Sequence, residues 1–246
     1  LKTLASISRL HIVAIAAMGT FTFGWLFTGI HPWAIAGVCA LDWFIVNLLN
    51  RVVDLEEDEA NAIRGTRFVG RWRRPILVVG FGLLAASLVW VHAFEPRITA
   101  LRVAYHCLGF AYNWPILPGR RRIKQLYFFK NFASACGFLI TVFGYPLAAA
   151  GWFGGSPVTA PDVGPLTVVF AIAFFLPFEL SYEVIYDLRD APGDRIAGVH
   201  TYPVVHGEQV ATRIIDGLIA GSLLAIALGY ALSFAPWRLF VMGAAP

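Results

Sequence analysis

Long apolar runs separated by shorter polar connections dominate the pattern of this chain. A run of about 20 mainly apolar residues is long enough to cross the hydrocarbon core of a bilayer as a helix. The pattern predicts seven such spans, and an eighth begins near Trp237. The predicted spans are residues 10–29, 33–50, 76–94, 99–117, 131–151, 165–186 and 210–233.

The composition agrees with this pattern and excludes an ordinary soluble domain. Of the 246 residues, 58% are hydrophobic and 14% are charged, whereas soluble domains are typically about 25% charged. We therefore expect an all-α fold, a polytopic membrane helix bundle. Cys39, Cys107 and Cys136 all lie in apolar runs, which argues against a disulfide framework and a cysteine metal site.

Lysine and arginine are unevenly divided between the connections. When the connections are assigned alternately to the two sides of the membrane, all but three of the 19 basic residues fall on one side. The exceptions are Arg97, Arg102 and Arg238. Positively charged connections remain in the cytoplasm, so we expect an integral, multi-pass protein whose basic side is cytoplasmic. That side also carries the two most acidic stretches of the chain.

The first acidic stretch, residues 50–58, directly follows the second apolar run. Asn50, Asp54 and Asp58 are four residues apart, which places them on one helix face at about 100° per residue. Carboxylates on one face repel each other unless a cation lies between them, and Mg²⁺ commonly has that role. The alternative interpretation is a solvated acidic helix end.

The second acidic stretch, residues 187–194, follows the sixth run. Pro192 and Gly193 predict that the helix ends before Asp194, which would then lie in a loop. Two acidic ends on one side predict a site where carboxylates hold Mg²⁺ together with substrate phosphate. On a continuous helix, five acids would share an arc of roughly 80°: Glu179, Glu183, Asp187, Asp190 and Asp194.

Both stretches resemble motifs of the UbiA superfamily of intramembrane prenyltransferases. The pattern N-x3-D-x3-D at residues 50–58 is similar to the first Asp-rich motif of that superfamily, and D-x2-D-x3-D at residues 187–194 is similar to the second. The resemblance covers nearly the whole chain. It departs at Arg51, where many members have Asp after the Asn.

The resemblance implies a single domain over residues 1–246, with an isoprenoid-synthase-like helix arrangement around a central cavity. It implies Mg²⁺-dependent transfer of a prenyl group from a prenyl diphosphate to an acceptor in the membrane. The acceptor in that superfamily is most often an aromatic precursor of a quinone, haem or chlorophyll and is sometimes a glycerol or sugar phosphate; the sequence does not choose among these. Because superfamily members usually have nine spans, we expect the chain to be a fragment at both ends, lacking the last one or two helices. The expected partners are these substrates and membrane lipid, not nucleic acid; the oligomeric state is not predicted.

The resemblance also implies roles for individual residues. The expected metal ligands are Asn50, Asp54, Asp58, Asp190 and Asp194. The expected catalytic residues are Asp54, Asp58, Asp190, Asp194 and Tyr112. The expected substrate-binding residues are Asn50, Arg74, Lys130, Asn131 and Asp187. Further basic candidates for the departing diphosphate are Arg9, Arg120, Arg121, Arg122 and Lys124. Tyr112 is alternatively an interfacial aromatic residue.

A transporter or channel is the competing functional class. In such a protein, acidic residues inside the membrane line a path for cations. That class predicts acids throughout the membrane depth, whereas most acids here cluster at one interface beside arginines. Asp42, Glu179 and Glu183 lie within apolar runs and are either functional groups or neutral, packed acids.

Overall fold

The apolar runs form long helices in the computed structural model, which describes residues 7–60, 62–196 and 198–246. Within that part of the chain no strand is present, and the all-α prediction is confirmed. A π-helical segment spans Leu139–Gly144. The helices are α1 (Leu10–Thr28), α2 (Trp33–Val53), α3 (Leu55–Ala60), α4 (Thr66–Arg71), α5 (Arg73–Phe94), α6 (Thr99–Asn113), α7 (Phe129–Ala149), α8 (Pro165–Ile196), α9 (Tyr202–His206), α10 (Glu208–Ala231) and α11 (Trp237–Phe240).

Six helices of the described residues are long and apolar enough to cross a membrane: α1, α2, α5, α7, α8 and α10. The predicted span 99–117 is shorter than expected, because α6 ends at Asn113 after 15 residues. Trp114 is extended (φ −106°, ψ 146°), as expected for a residue before proline. At about 1.5 Å per residue, α6 is roughly 22 Å long, less than a hydrocarbon core of about 30 Å.

The short helix α6 nevertheless runs from one end of the bundle to the other. Before its first turn, Arg97 donates a hydrogen bond of 2.8 Å to the carbonyl of Ala149, at the end of α7. After its last turn, the chain reaches Asp54 at the end of α2, through Lys124. The connections before and after α6 therefore lie at opposite ends.

Helix α8 continues through Pro192 to Ile196, so the prediction that Asp194 lies in a loop is wrong. Proline removes one helical hydrogen bond and crowds the preceding turn. Here the turn after Pro192 is closed by a 2.9 Å hydrogen bond from the amide of Val199 to the carbonyl of Asp194. The five acids of α8 consequently share one continuous helix.

A buried ion pair joins α2 to α6 inside the bundle. Arg102 donates to both carboxylate oxygens of Asp42, and Tyr145 donates to the same carboxylate at 2.8 Å. The Nε2 atom of His106 lies 3.1 Å from that carboxylate. Asp42 and Arg102 are both 0% exposed. The placement of Arg102 on the far side of the membrane is therefore wrong, because this arginine neutralises Asp42 in the interior.

An apolar cavity of about 160 Å³ lies between α1, α7 and α8. Its lining includes Met18, Phe23, Val142, Phe174 and Phe178. The rings of Phe23 and Phe143 pack beside it in a tilted arrangement, with centroids 4.3 Å apart. The cavity is partly open, with Met18 exposed at its edge, and an apolar chain in it would meet almost no polar group.

Candidate active site

The acidic end of α2 keeps its helical phase through the short break before α3. The amide of Asp54 donates to the carbonyl of Asn50 at 3.0 Å, and the amide of Asp58 donates to the carbonyl of Asp54 at 2.8 Å. Asn50, Asp54 and Asp58 are each 5% exposed. The structure therefore places these predicted residues in succession on one buried face. With Glu57 they form what we call the first acidic cluster.

The connection from α6 to α7, residues 114–128, brings cations to this cluster and is called the basic loop. It reverses direction between Leu117 and Arg121, whose backbone atoms are joined by a 3.1 Å hydrogen bond. Gly119 (φ 74°) and Arg120 (φ 57°) are left-handed in this turn, a conformation that glycine adopts without steric cost. The turn allows the following residues to lie against α2 and α3.

Lys124 and Arg122 each bridge two carboxylates of the first acidic cluster. Lys124 Nζ lies 2.6 Å from Asp54 and 2.5 Å from Glu57. Arg122 lies 3.1 Å from Asp54 and 2.6 Å from Glu57. Burial favours a raised pKa for Glu57, but these two cations outweigh it and hold that pKa below its ordinary value. At Asp54, burial outweighs Lys124 and raises the pKa.

Arg51 forms a further ion pair within the first acidic cluster. Its guanidinium lies 2.6 Å from the carboxylate of Asp58, and both side chains are almost fully buried. Sequence reasoning treated Arg51 only as a departure from a motif and did not assign Glu57 to the site. Residues seven apart lie on one helix face, so the spacing of Arg51 and Asp58 contained the signal.

The second acidic cluster consists of Asp187, Asp190 and Asp194 on α8. Lys130 Nζ, at the start of α7, lies 2.7 Å from Asp187 and 3.3 Å from Asp194. Asn131 donates to the other oxygen of Asp187 at 2.8 Å. The predicted residues Lys130, Asn131, Asp187 and Asp194 are thus brought together. Asp190 instead pairs with the adjacent Arg189 at 2.8 Å and is 38% exposed.

Tyr112 and Arg74, which were also predicted to belong to the site, differ from each other in burial and in their interaction with the clusters. Tyr112 is partly buried in the last turn of α6, within electrostatic reach of Lys130 and Asp187. Arg74 is exposed in the first turn of α5 and, within the described ranges, forms no ion pair with either cluster. The assignment of Arg74 to substrate binding therefore remains a prediction without a contact to support it.

The first acidic cluster has the donor chemistry that Mg²⁺ requires. Its ligands would be hard oxygen atoms, and the buried Oδ1 of Asn50 has no hydrogen-bond partner. Among the residues that the structure describes, no three acidic, histidine or cysteine side chains are arranged to hold a metal ion by themselves. Mg²⁺ commonly takes only one or two carboxylates and completes its shell with substrate phosphate and water, so the residues present fit a metal that arrives with a polyphosphate.

Fold and site together define a polytopic, all-α membrane protein with two acid–base clusters at one end of its bundle. The chain belongs to the UbiA prenyltransferase family, whose family model matches residues 5–246. The resemblance seen in the two Asp-rich motifs is thereby confirmed.

Curated relatives match parts of the chain. Digeranylgeranylglyceryl phosphate synthase of Natronomonas pharaonis is 30% identical over 90 residues, which are 37% of this chain and 31% of that protein. The chloroplastic homogentisate phytyltransferase 1 of Arabidopsis thaliana is 26% identical over 189 residues, 75% of this chain and 46% of that protein. The matched regions thus span less than half of these relatives.

A solved structure shares the fold over the whole chain. A UbiA homologue from Archaeoglobus fulgidus, bound to DMAPP and Mg²⁺, has a TM-score of 0.73 at 15% identity. The match covers 100% of this chain and 83% of that one. A structure of digeranylgeranylglyceryl phosphate synthase matches with a TM-score of 0.66 at 18% identity, over 95% of this chain and 78% of that one.

Proposed function

We propose that the protein transfers a prenyl group from a prenyl diphosphate to an acceptor within the membrane, in a reaction that requires Mg²⁺. The observation that carries the proposal is the pairing of two acidic helix ends with Arg122, Lys124 and Lys130 at one end of an apolar bundle. Acids alone would repel a diphosphate. Acids combined with basic side chains form a site for a diphosphate that brings its own metal ions.

Binding of the diphosphate is the role of the residues at the two clusters. Asn50, Asp54 and Asp58 would hold Mg²⁺ on one side, and Asp190 and Asp194 on the other. When bound, Mg²⁺ supplies positive charge that stabilises the leaving diphosphate. Fixed lysine and arginine side chains add charge without reorganisation during the reaction.

These basic side chains are held close to the acids before substrate binds. Lys124 and Lys130 are each shared by two carboxylates in the structure. A cation shared in this way can transfer a hydrogen bond to phosphate without leaving the site, and charge-assisted contacts to phosphate are short and strong. Tyr112 lies within electrostatic reach of Lys130, and we propose that its ring and hydroxyl contribute to the same region.

The apolar tail of the substrate would enter the bundle, where the cavity between α1, α7 and α8 is lined by aromatic and aliphatic side chains. For the acceptor, we propose an aromatic compound of the quinone, haem or chlorophyll type. The name of the Arabidopsis relative includes an aromatic acceptor, homogentisate. The names of the archaeal relatives point instead to a glyceryl phosphate.

The transporter interpretation is less well supported by the deep acid of α2. Asp42 is 0% exposed and is bound by Arg102 and Tyr145. A carboxylate closed in this way has no free oxygen to offer a passing cation. The two acidic clusters, by contrast, lie at one end of the bundle beside lysine and arginine side chains, which suits an interfacial diphosphate.

We place the two clusters on the cytoplasmic side of the membrane, because the same side holds most lysines and arginines. Single cysteines at positions 67 and 97, in a chain without Cys39, Cys107 and Cys136, test this orientation. An impermeant maleimide should label position 67 from the cytoplasmic side and position 97 from the other. Labelling of both from one side would contradict the proposed topology.

The activity is tested with the purified chain in liposomes containing Mg²⁺, homogentisate and a panel from geranyl to decaprenyl diphosphate. We expect diphosphate release and a product whose mass equals homogentisate plus one prenyl group. A mass-spectrometric search of lipids from a quinone-producing host identifies other acceptors. Release of no diphosphate from any member of the panel would contradict the proposed function.

A further inference from the structure

Three carboxyl groups descend one face of α8 from the second acidic cluster into the bundle. Asp187, Glu183 and Glu179 are each one turn apart, about 6 Å along the axis. Asp187 is 2% exposed, Glu183 is half-buried and Glu179 is 8% exposed. Carboxyl groups inside a membrane helix are costly and usually functional, yet the diphosphate site described above uses only Asp187.

Glu183 differs from its neighbours in what holds it. Ser134 Oγ donates a 2.7 Å hydrogen bond to Glu183 Oε1. Ser134 follows Lys130 by one turn of α7, so Lys130–Asp187 and Ser134–Glu183 form successive links between α7 and α8. In the described part of the chain no lysine or arginine forms an ion pair with Glu183. It is therefore a carboxylate fixed by a neutral donor, one turn deeper than the cation-bound Asp187.

This depth is where the reacting carbon of a prenyl diphosphate would lie. The diphosphate occupies the acidic end, and the apolar tail points toward the cavity that Phe178 lines. Along α8, Glu183 lies between Phe178 and Asp187. The first carbon of the prenyl group, bonded to the diphosphate, belongs at this intermediate level, and the acceptor must approach it there.

We propose that Glu183 takes up the proton that the acceptor loses during prenyl transfer, an inference that rests on the proposed function. The C–O bond of the prenyl diphosphate breaks, and its electron pair leaves with the diphosphate. An electron pair of the acceptor, from a ring carbon or a hydroxyl oxygen, forms the new bond to the prenyl carbon. The proton released from that carbon or oxygen moves to the Glu183 carboxylate.

The other carboxylates are less suited to this step. Asp54, Asp58, Asp187 and Asp194 are paired with lysine or arginine, and a nearby positive charge makes a carboxylate a weaker base. Ser134 offers Glu183 a hydroxyl donor, and Lys130 acts on it only at longer range, so Glu183 loses less of its basic character than the ion-paired carboxylates do. Ser134 is accordingly a positioning residue that keeps Glu183 on the reacting side of α8.

The test measures two products of the same reaction in liposomes, with geranylgeranyl diphosphate, homogentisate and Mg²⁺. One is total diphosphate released, and the other is prenylated homogentisate. For Glu183→Gln we expect transfer to fall by about 10²-fold or more, the usual contribution of a general base. Diphosphate release should continue, because water captures the prenyl group, so the ratio of transfer to release should fall. Glu183→Asp should restore part of that ratio.

Matched variants separate this role from a packing role. Glu179→Gln makes the same change one turn deeper on the same face and should keep the wild-type ratio. Ser134→Ala should lower the ratio less than Glu183→Gln does. Melting temperatures in detergent check that each variant is folded. If Glu183→Gln does not fold, the ratio of transfer to release is compared for Ser134→Ala and Glu183→Asp instead.

Two results would contradict these ideas in different ways. If Glu183→Gln keeps the wild-type ratio of transfer to release, the proposed role of Glu183 is wrong, but the proposed function is not affected. This holds whether the rates of transfer and of diphosphate release are unchanged or fall together. If the wild-type chain releases no diphosphate from any prenyl diphosphate, the proposed function fails and this inference fails with it.

Discussion

Asp42 lies in the middle of α2 and Asp54 directly follows its last residue. Both aspartates are buried and bind basic side chains, yet their surroundings differ. Asp42 is enclosed by Arg102, His106 and Tyr145. Among the described residues, Arg102 and His106 form no ion pair with any carboxylate other than Asp42. Asp54 shares Lys124 and Arg122 with Glu57, and the nearby Asn50 Oδ1 has no hydrogen-bond partner. The carboxylate of Asp42 is enclosed by its partners, whereas the site at the helix end has two carboxylates that share two cations and an unused acceptor on Asn50.

The comparison teaches how a structural ion pair differs from a binding site in a membrane bundle. Removing one partner of a closed, buried pair leaves an uncompensated charge and destabilises the fold. In the helix-end cluster several acids share several cations, so a single change alters binding more than folding. The predictions below test this division, beginning with the largest expected effect.

The largest effect should follow Arg102→Ala. This variant removes the arginine that neutralises Asp42 and leaves only Tyr145 and His106 as its partners; breaking a buried ion pair costs about 3–5 kcal/mol, a large part of the stability of an ordinary domain. We expect a strongly lowered melting temperature and little monodisperse protein in detergent. Arg97→Ala is the control, since Arg97 makes one exposed hydrogen bond to Ala149. Equal melting temperatures for the two variants would contradict a structural role for the Asp42 pair.

Asp54→Asn should abolish turnover and leave the protein folded. Loss of one preorganised electrostatic group commonly lowers kcat by about 10²–10³-fold, and here a metal-binding charge is lost as well. Asp190→Asn should behave similarly if Asp190 binds metal. The matched control is Asp162→Asn, because Asp162 pairs with Arg238 near the opposite end of α1. An active Asp54→Asn variant would remove the first acidic cluster from the reaction.

A smaller effect should distinguish the basic residues. A hydrogen bond to a charged group contributes about 1.5–3 kcal/mol, so Lys124→Ala should lower kcat/KM for the prenyl diphosphate by roughly 10- to 150-fold. Arg74→Ala should cost less, because Arg74 lies exposed and unpaired with either cluster in the structure. If Arg74→Ala costs as much as Lys124→Ala, then Arg74 contacts the diphosphate in the bound state, as the sequence resemblance implied.

The sequence predicted the helices and both acidic faces because these depend on local patterns. Apolar length defined the spans, and four-residue spacing placed Asn50, Asp54 and Asp58 together. Contacts between distant segments were not predictable in this way. The pairing of Lys124 with Asp54 depends on a left-handed turn at Gly119, and the pairing of Arg102 with Asp42 depends on how α2 and α6 pack. The sequence therefore predicted Arg102 to lie at the membrane surface. The predicted end of α8 at Pro192 was also wrong, because the helix continues through this proline to Ile196.

The central claim is that the helix-end cluster binds a metal–diphosphate complex and that this role is separate from stability. It is tested most directly by the melting temperature in detergent with a non-hydrolysable prenyl thiodiphosphate, in Mg²⁺ or in EDTA. A ligand that binds only the native state raises the melting temperature. The account predicts a rise in wild type only when Mg²⁺ and the analogue are both present, and none in Asp54→Asn, whose melting temperature without ligand matches wild type. A rise in EDTA, or an undiminished rise in Asp54→Asn, would contradict it.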